Sequence, residues 1–246
     1  MSEKAIEIRA PHGSIDGYLY AAPGGSARPG VVFLPDIGGI RDSNRAQAGR
    51  LAAQGFSVLL PNPFYRTSRT PLFTFPFAFG EERTMKRLAE LSAPLTPEAI
   101  ENDASTYLDF LASQPAVSPG PAGVVGYCFT GSFAVRIAAA RPDKVAAAAS
   151  FHGGGLYIDT PVSPHHALPR VKARLYFGHA IQDTSMPAAA IQKLDAALAS
   201  WGGRYESVVY EAAYHGWTLE DASVYNKEQA ERAFEKLVGL FKSELG

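Results

Sequence analysis

The stretch that decides the fold is Val-Val-Gly-Tyr-Cys-Phe-Thr-Gly at positions 124–131. Its apolar start is typical of a strand buried on both faces, and the residues that follow have the spacing of a helix. A cysteine, Cys128, at the turn between such a strand and such a helix predicts a nucleophile elbow. The sharp turn needs small neighbours, which Gly126 and Gly131 supply. Thr130 stands where many elbows have glycine, so we expect a slightly distorted turn.

Apolar runs alternate with helical segments on both sides of this elbow. The predicted strands are 31–34, 57–60, 124–127, 146–151, 174–177 and 205–210, and the predicted helices are 43–54, 98–112, 131–140, 188–200 and 224–244. This alternation predicts an α/β fold with a mostly parallel sheet that is covered by helices on both faces. Residues 4–9 and 14–21 alternate around a Pro-His-Gly turn, which predicts an antiparallel hairpin. We therefore expect a mixed sheet of about eight strands.

The composition favours one globular domain spanning residues 1–246. Hydrophobic residues make up 46% of the chain, charged residues 19%, and the formal net charge is −1. A chain this apolar buries a large core, and a chain this neutral lacks the basic excess of a nucleic-acid-binding protein. There is no apolar run long enough for a membrane span and no signal-peptide pattern at the start, so we expect a cytoplasmic protein. One cysteine excludes an internal disulfide and a multi-cysteine metal site.

An unusual stretch at about 62–96 interrupts the alternation. It carries six aromatic residues and four prolines, Phe64 and Tyr65 among the aromatics. Long insertions in α/β folds often form lids over a binding pocket, but the same phenylalanines would also cover one end of a core. The apolar surface could equally be a dimer contact, which leaves the chain a monomer or a homodimer.

Two later loops carry residues that complete a cysteine hydrolase site. Asp183 follows the strand at 174–177, and His215 follows the strand at 205–210. Carboxyl ends of parallel strands meet at one edge of the sheet, so we expect both side chains near Cys128. The chain order of nucleophile, acid and base is that of the α/β-hydrolases. A different interpretation is that Cys128 is a small core residue and that Asp183 only shapes a turn before Pro187.

Other residues at this edge are candidates for supporting roles. The amides of Phe129 and of Ile37 are predicted to form an oxyanion hole, because one follows the nucleophile and the other lies in a glycine-rich loop after a strand. Asp36 in that loop either points at the mouth of the site or shapes the turn. His152 is a plausible pocket residue, and His179 is a weaker competitor of His215.

These motifs resemble the dienelactone hydrolase family of α/β-hydrolases. The resemblance runs from about residue 14 to the C-terminus, and its landmarks are Gly-Tyr-Cys-Phe at 126–129, Asp183 with Met-Pro at 186–187, and Tyr-His-Gly-Trp at 214–217. The resemblance implies a triad of Cys128, His215 and Asp183. It also implies hydrolysis of an ester or lactone through a thioester, with no cofactor and no metal.

Two positions depart from the family pattern. Members that cleave dienelactones have a glutamate that pairs with the cysteine, and the matching residue here is Asp36. They also hold the substrate carboxylate with arginines, one of them four residues after the catalytic histidine, where this chain has Leu219. Arg83 or Arg66 could replace that arginine, although an uncharged ester suits Leu219 and the insert as well. The candidate substrate-binding residues are Phe64, Tyr65, Arg83, Trp217 and Leu219.

Two other functions are compatible with the same residues. The chain could be a catalytically silent α/β-hydrolase that binds a small ligand, or a thiol sensor that uses Cys128. A sensor of that kind often has a second, resolving cysteine, which this sequence lacks. A serine esterase based on Ser132 is excluded, because that residue falls inside the predicted helix and not at the turn.

Overall fold

The structure is a computed structural model that describes residues 2–246, and it contains one eight-stranded sheet. The strands are β1 (Ser2–Ala10), β2 (Gly13–Ala21), β3 (Gly30–Leu34), β4 (Ser57–Pro61), β5 (Ala122–Tyr127), β6 (Val145–Phe151), β7 (Arg174–His179) and β8 (Tyr205–Val209). The helices are α1 (Asp42–Ala53), α2 (Glu82–Ser92), α3 (Pro97–Ala112), α4 (Gly131–Ala140), α5 (Ala188–Trp201) and α6 (Lys227–Leu245).

The strand order is β1-β2-β4-β3-β5-β6-β7-β8. The β1–β2 and β2–β4 pairs are antiparallel, and every other pair is parallel. This arrangement confirms the predicted mixed sheet with an antiparallel start. The parallel pairs align the carboxyl ends of β3, β5, β6, β7 and β8 at one edge, where ligands bind in open α/β sheets.

Each face of the sheet has its own hydrophobic core. Val32 and Leu34 face the core that contains α3, α4 and α5, whereas Val31 and Phe33 face the core that contains α1 and α6. Successive side chains of a strand point to opposite faces, so a central strand with helices on both sides must be apolar throughout. All five residues of β3 are buried accordingly.

The structure corrects two predicted elements. The last helix begins at Lys227 and not at 224, because Leu219, Ala222 and Tyr225 donate backbone hydrogen bonds in consecutive turns and the Asn226 side chain caps the helix. The insert at 62–96 also contains a regular helix, α2, which buries Leu88 and Leu91. No helix within residues 2–246 is long and apolar enough to cross a membrane.

Candidate active site

Cys128 lies at a strained turn directly after β5. Its φ is +55°, in the left-handed region that residues with a side chain rarely adopt, and residues 128–130 form a single 3₁₀ turn that leads into α4. The glycine at 126 is required by close packing, since a Cβ there would lie 2.1 Å from the Thr130 carbonyl oxygen. This is the backbone geometry that exposes a nucleophile at the end of a strand.

Thr130 ties the elbow to the loop that follows β3. Its buried hydroxyl accepts a hydrogen bond from the Tyr127 N–H at 3.1 Å and lies 2.8 Å from the Pro35 carbonyl oxygen, to which it donates. The threonine therefore occupies the usual glycine position by using its hydroxyl as a bridge between the two segments. Ile37 lies two residues beyond Pro35, and Phe129 lies two residues beyond Tyr127.

Three side chains from three strand ends meet at the elbow. His215 Nε2 lies 3.0 Å from Cys128 Sγ, and His215 Nδ1 lies 2.7 Å from Asp183 Oδ2. The other oxygen of Asp183 accepts hydrogen bonds from the Ser185 N–H at 2.8 Å and from the Ser185 hydroxyl at 2.6 Å. The carboxylate is buried, whereas the His215 side chain is 30% exposed. Nδ1–H is thus directed at Asp183, and Nε2 faces the sulfur.

The charges of this group favour a protonated histidine. Burial alone would lower the pKa of His215, but its hydrogen bonds to Asp183 and Cys128 raise that pKa to about 10. Burial alone would raise the pKa of Asp183, but the hydrogen bonds from His215 and Ser185 lower it. These contacts therefore favour an imidazolium beside the sulfur, next to the amino-terminal end of α4.

His152 lies beneath His215 and not in the cavity wall. The His152 ring is fully buried, its Nε2 lies 2.8 Å from the Thr218 hydroxyl, and its centroid lies 5.2 Å from that of His215. Burial, together with the positive charge of His215, lowers the pKa of His152 well below its usual value. A neutral His152 therefore packs between β6 and the 215–218 loop.

Asp36 lies in the cavity wall, and its carboxylate is held by its own loop and by α1. Its carboxylate accepts hydrogen bonds from the Gly38 N–H at 2.7 Å, from Arg41 Nη1 at 2.9 Å and from Asn44 Nδ2 at 3.1 Å. These three donors satisfy the carboxylate within its own loop and α1, and Cys128 is not among its partners. Asp36 thus shapes its turn and also lines the cavity, so both interpretations of this residue apply, and no hydrogen bond joins it to Cys128.

Left-handed backbone conformations in residues other than glycine mark the same edge. Within residues 2–246 they occur at Cys128, His152, Gln182 and Ala212, each within three residues of the carboxyl end of β5, β6, β7 or β8. Each such conformation costs free energy that the surrounding contacts must offset, and such residues concentrate at functional sites.

A cavity of about 1300 Å³ opens above the sulfur. Cys128, Asp183 and His215 line it together with Ile37, Phe129, Asp36 and Leu219. The Ile37 and Phe129 amides donate to no other protein group among the described residues, so both N–H groups are free to bind an oxyanion. From the insert, Phe77 and Phe79 form part of the wall.

Four of the predicted substrate-binding residues lie outside the cavity wall. Phe64 is a core residue that stacks on Phe129, and the Tyr65 hydroxyl donates to the buried Asp103. Trp217 is fully buried against Tyr210 and His152. The fourth, Arg83, pairs with Glu81 on the surface. The three aromatic side chains thus serve the core, and the arginine has a local partner.

Arg66 and His179 both have structural partners away from the sulfur. Arg66, the second arginine considered for a substrate carboxylate, forms a bidentate pair with Asp103 at 2.6 and 2.9 Å and is not in the cavity wall. His179 is buried next to Ser207 and does not approach the sulfur, which leaves His215 as the histidine of the site.

Two residues of the site were not predicted from the sequence. Ser185 braces Asp183, and an Asp followed two residues later by Ser is a recognisable turn signal that could have pointed to it. Arg136 lines the cavity from α4, and nothing in its local sequence distinguishes it from a surface arginine. Among residues 2–246 no group of three or more histidine, cysteine or carboxylate side chains is arranged to hold a metal ion.

Comparison with known proteins agrees with this geometry. The profile described as the dienelactone hydrolase family matches residues 15–245. A carboxymethylenebutenolidase from Rhodococcus opacus is 29% identical over 201 residues, covering 81% of this chain and 74% of the relative. The carboxymethylenebutenolidase of Pseudomonas putida is 25% identical over 240 residues, covering 96% of this chain and 94% of the relative.

Solved structures show the same fold. A dienelactone hydrolase from Anabaena variabilis superimposes with a TM-score of 0.71 and 21% identity, covering 100% of this chain and 99% of that one. A dienelactone hydrolase-like promiscuous phosphotriesterase from metagenomic libraries gives a TM-score of 0.81 and 18% identity, with 100% and 99% coverage. The strand order, the elbow and the profile match over nearly the whole sequence together identify this chain as a member of the dienelactone hydrolase family.

Proposed function

We propose that this protein hydrolyses small esters or lactones with Cys128 as nucleophile, His215 as acid and base, and Asp183 as the group that orients the histidine. The observation that carries this proposal is the continuous chain of contacts from sulfur to imidazole to carboxylate, at 3.0 and 2.7 Å, in the wall of a large cavity. Nucleophile, base and orienting acid in that order are the signature of acyl transfer through a covalent intermediate.

The reaction has two halves. The Cys128 sulfur attacks the acyl carbon, and the resulting oxyanion binds the N–H groups of Phe129 and Ile37, each worth about 3–4 kcal/mol of barrier by comparison with known oxyanion donors. His215 then protonates the departing alcohol, leaving a thioester on the sulfur. A water molecule, deprotonated by His215, attacks the thioester carbonyl and releases the acid. Asp183 keeps Nδ1 protonated in both halves.

The chemistry of sulfur selects the substrate class. A thiolate leaves a tetrahedral intermediate more readily than an amine does, so attack on an amide tends to revert, whereas the oxygen of an ester or lactone departs as an alcohol once His215 has protonated it. The proposed mechanism uses side chains and backbone amides of this chain and requires no cofactor.

Substitution and trapping test the proposal together. Cys128→Ala should abolish hydrolysis of p-nitrophenyl acetate while the circular dichroism spectrum stays unchanged. Rapid mixing of the wild-type protein with the ester, followed by acid quench and mass spectrometry, should show one acetyl group on the peptide that carries Cys128. Ser132→Ala is the comparison variant, since Ser132 is the nearest hydroxyl on α4 that lines the cavity. Loss of acetylation in Ser132→Ala, with retention in Cys128→Ala, would overturn the proposal.

Alkylation of Cys128, compared with ester turnover, separates the enzyme from the two non-catalytic functions. A silent ligand-binding protein or a thiol sensor would react with iodoacetamide at Cys128, its single cysteine, yet would turn over no ester. Alkylation that is fast in the wild type and slow in His215→Ala would show that the imidazole activates the sulfur. Normal ester turnover after complete alkylation would exclude a catalytic sulfur.

A further inference from the structure

One side of the active-site cavity runs along α4, away from the sulfur. Ser132, Phe133 and Arg136 all line the cavity, and residues spaced by three or four positions share one face of a helix. The three steps from Cys128 to Gly131 in the 3₁₀ turn, at about 2 Å each, and the five steps from Gly131 to Arg136 in α4, at about 1.5 Å each, give a rise of roughly 13 Å. This face of α4 forms one side of the cavity, here called the channel, which extends from Cys128 to Arg136.

The walls of this channel are apolar. Leu95 and Ile100 contribute from the start of α3, and Ile158, Val162 and Pro164 contribute from the segment after β6. Ile158 is 39% exposed and Val162 is 54% exposed, so the channel presents apolar surface that no residue of the described chain covers. Such surface beside a reactive group is suited to an apolar part of the substrate.

Arg136 places a positive charge at the far end of the apolar channel. Its side chain is only 9% exposed, one of its Nη atoms donates to the Val162 carbonyl oxygen, and its nearest carboxylate oxygen, on Glu101, is 3.6 Å away. Glu101 is already held by Arg170 through two hydrogen bonds of 3.0 Å. Two guanidinium groups thus share one carboxylate, which leaves one positive charge in excess.

Other arginines that pair with carboxylates provide a contrast. Carboxylate partners raise the pKa values of Arg41 and Arg66 despite their burial, and that of the exposed Arg170. Burial lowers the pKa of Arg136, and the neighbouring charge of Arg170 lowers it further. Arg136 is therefore the arginine of this group whose charge has too little compensation, and a buried cation of that kind gains most from an added anion.

We propose that Arg136 binds a carboxylate at the end of the substrate's acyl group, so that the preferred substrates are esters with an apolar acyl chain that ends in a carboxylate. This proposal rests on the proposed function, because it uses Cys128 as the point of attack. The leaving oxygen must face His215 to be protonated, so the acyl remainder extends away from His215 and along α4. Leu219, on the His215 side, offers no charge to an anion there.

Such a site differs from one that binds a compact lactone with a carboxylate group. The carboxylate would lie several bond lengths from the scissile carbonyl, at the end of the channel and not beside His215. Chain length should then matter: a short acyl chain cannot reach Arg136, and a chain matched to the channel brings its carboxylate to the guanidinium.

The test compares two matched substrates, p-nitrophenyl octanoate and the mono-p-nitrophenyl ester of octanedioic acid, which differ in a terminal carboxylate. The wild-type protein should prefer the charged ester in kcat/KM. Arg136→Met should lower kcat/KM for the charged ester about tenfold or more, mainly through KM, and change it less than threefold for the neutral ester. Arg136→Lys, which keeps the charge, should retain part of the preference.

A second variant tests the subsite even if Arg136→Met fails to fold. Glu101→Gln removes the shared carboxylate and should increase the preference for the charged ester. The subsite would be rejected if Arg136→Met lowered kcat/KM equally for both esters and Glu101→Gln left the preference for the charged ester unchanged. Hydrolysis of both esters without preference by the wild type would reject the subsite alone, whereas hydrolysis of neither would reject the proposed function.

Discussion

Removal of the Thr130 hydroxyl should damage both the elbow and the oxyanion hole. Thr130→Val keeps the shape of the side chain but deletes the group that bonds the Tyr127 N–H at 3.1 Å and the Pro35 carbonyl oxygen at 2.8 Å. The site is fully buried, so water cannot replace the lost contacts. Each polar group left without a partner costs about 1–3 kcal/mol. Two such groups remain in Thr130→Val, so we expect the free energy of unfolding to fall by about 2–6 kcal/mol.

The expected effect on catalysis follows from the two segments that the hydroxyl joins. One carries the Ile37 amide and the other the Phe129 amide, so their separation is no longer fixed in the variant. Loss of one well-placed oxyanion donor costs about 10²–10³ in kcat. Because the oxyanion exists only in the transition state and the intermediate, kcat should fall while KM stays nearly constant.

The assay is steady-state hydrolysis of p-nitrophenyl acetate, with urea unfolding measured on the same preparations. Thr130→Ser is the matched control, since it retains the hydroxyl and loses only a methyl group, and it should keep kcat within a few-fold of the wild type. A folded Thr130→Val protein whose kcat equals that of Thr130→Ser would refute the role of the hydroxyl.

Three further variants probe the remaining parts of the site. Asp183→Asn should lower kcat by about 10³–10⁴, because the histidine loses the carboxylate that fixes its tautomer. An NMR titration should show the pKa of His215 falling from about 10. An unchanged titration would contradict the ion pair between His215 and Asp183. The raised pKa of His215 means that its contribution to stability is complete below about pH 6.5 and is lost as the pH rises towards 10. The difference in unfolding free energy between wild type and His215→Gln should therefore shrink between pH 6 and pH 10, and a constant difference would be inconsistent with this linkage. Gly126→Ala would put a Cβ 2.1 Å from the Thr130 carbonyl oxygen, so the melting temperature should drop or the protein should fail to fold; a wild-type melting temperature would argue against the tight elbow.

Local sequence patterns carried enough information to predict the fold. The buried strands have continuous apolar runs because both of their faces pack against helices, as in β3 and β5, and that pattern is visible without any tertiary information. The position of Cys128 between strand and helix followed from the same signals. Asp183 and His215 could be located because the strands that precede them run parallel to β5, which brings their loops to one edge.

The substrate-facing residues could not be predicted in the same way. Phe64 and Tyr65 belong to an insert whose packing is decided by tertiary contacts, here with Phe129 and Asp103, and aromatic composition does not tell core from cavity. The proposed carboxylate-binding role of Arg136 depends on the ion pair between Glu101 and Arg170, which are 69 positions apart in the sequence. Such competition between charges is visible only in three dimensions.

The left-handed residues at the strand ends also have a practical consequence for protein engineering. Ala212 is one of them, yet it does not line the cavity. A residue that accepts this conformation readily, such as asparagine or glycine, would relieve local strain at a position outside the cavity wall. Thermostability can therefore be sought at Ala212 without replacing the groups proposed to break the ester bond, whereas the same exchange at Cys128 would remove the proposed nucleophile.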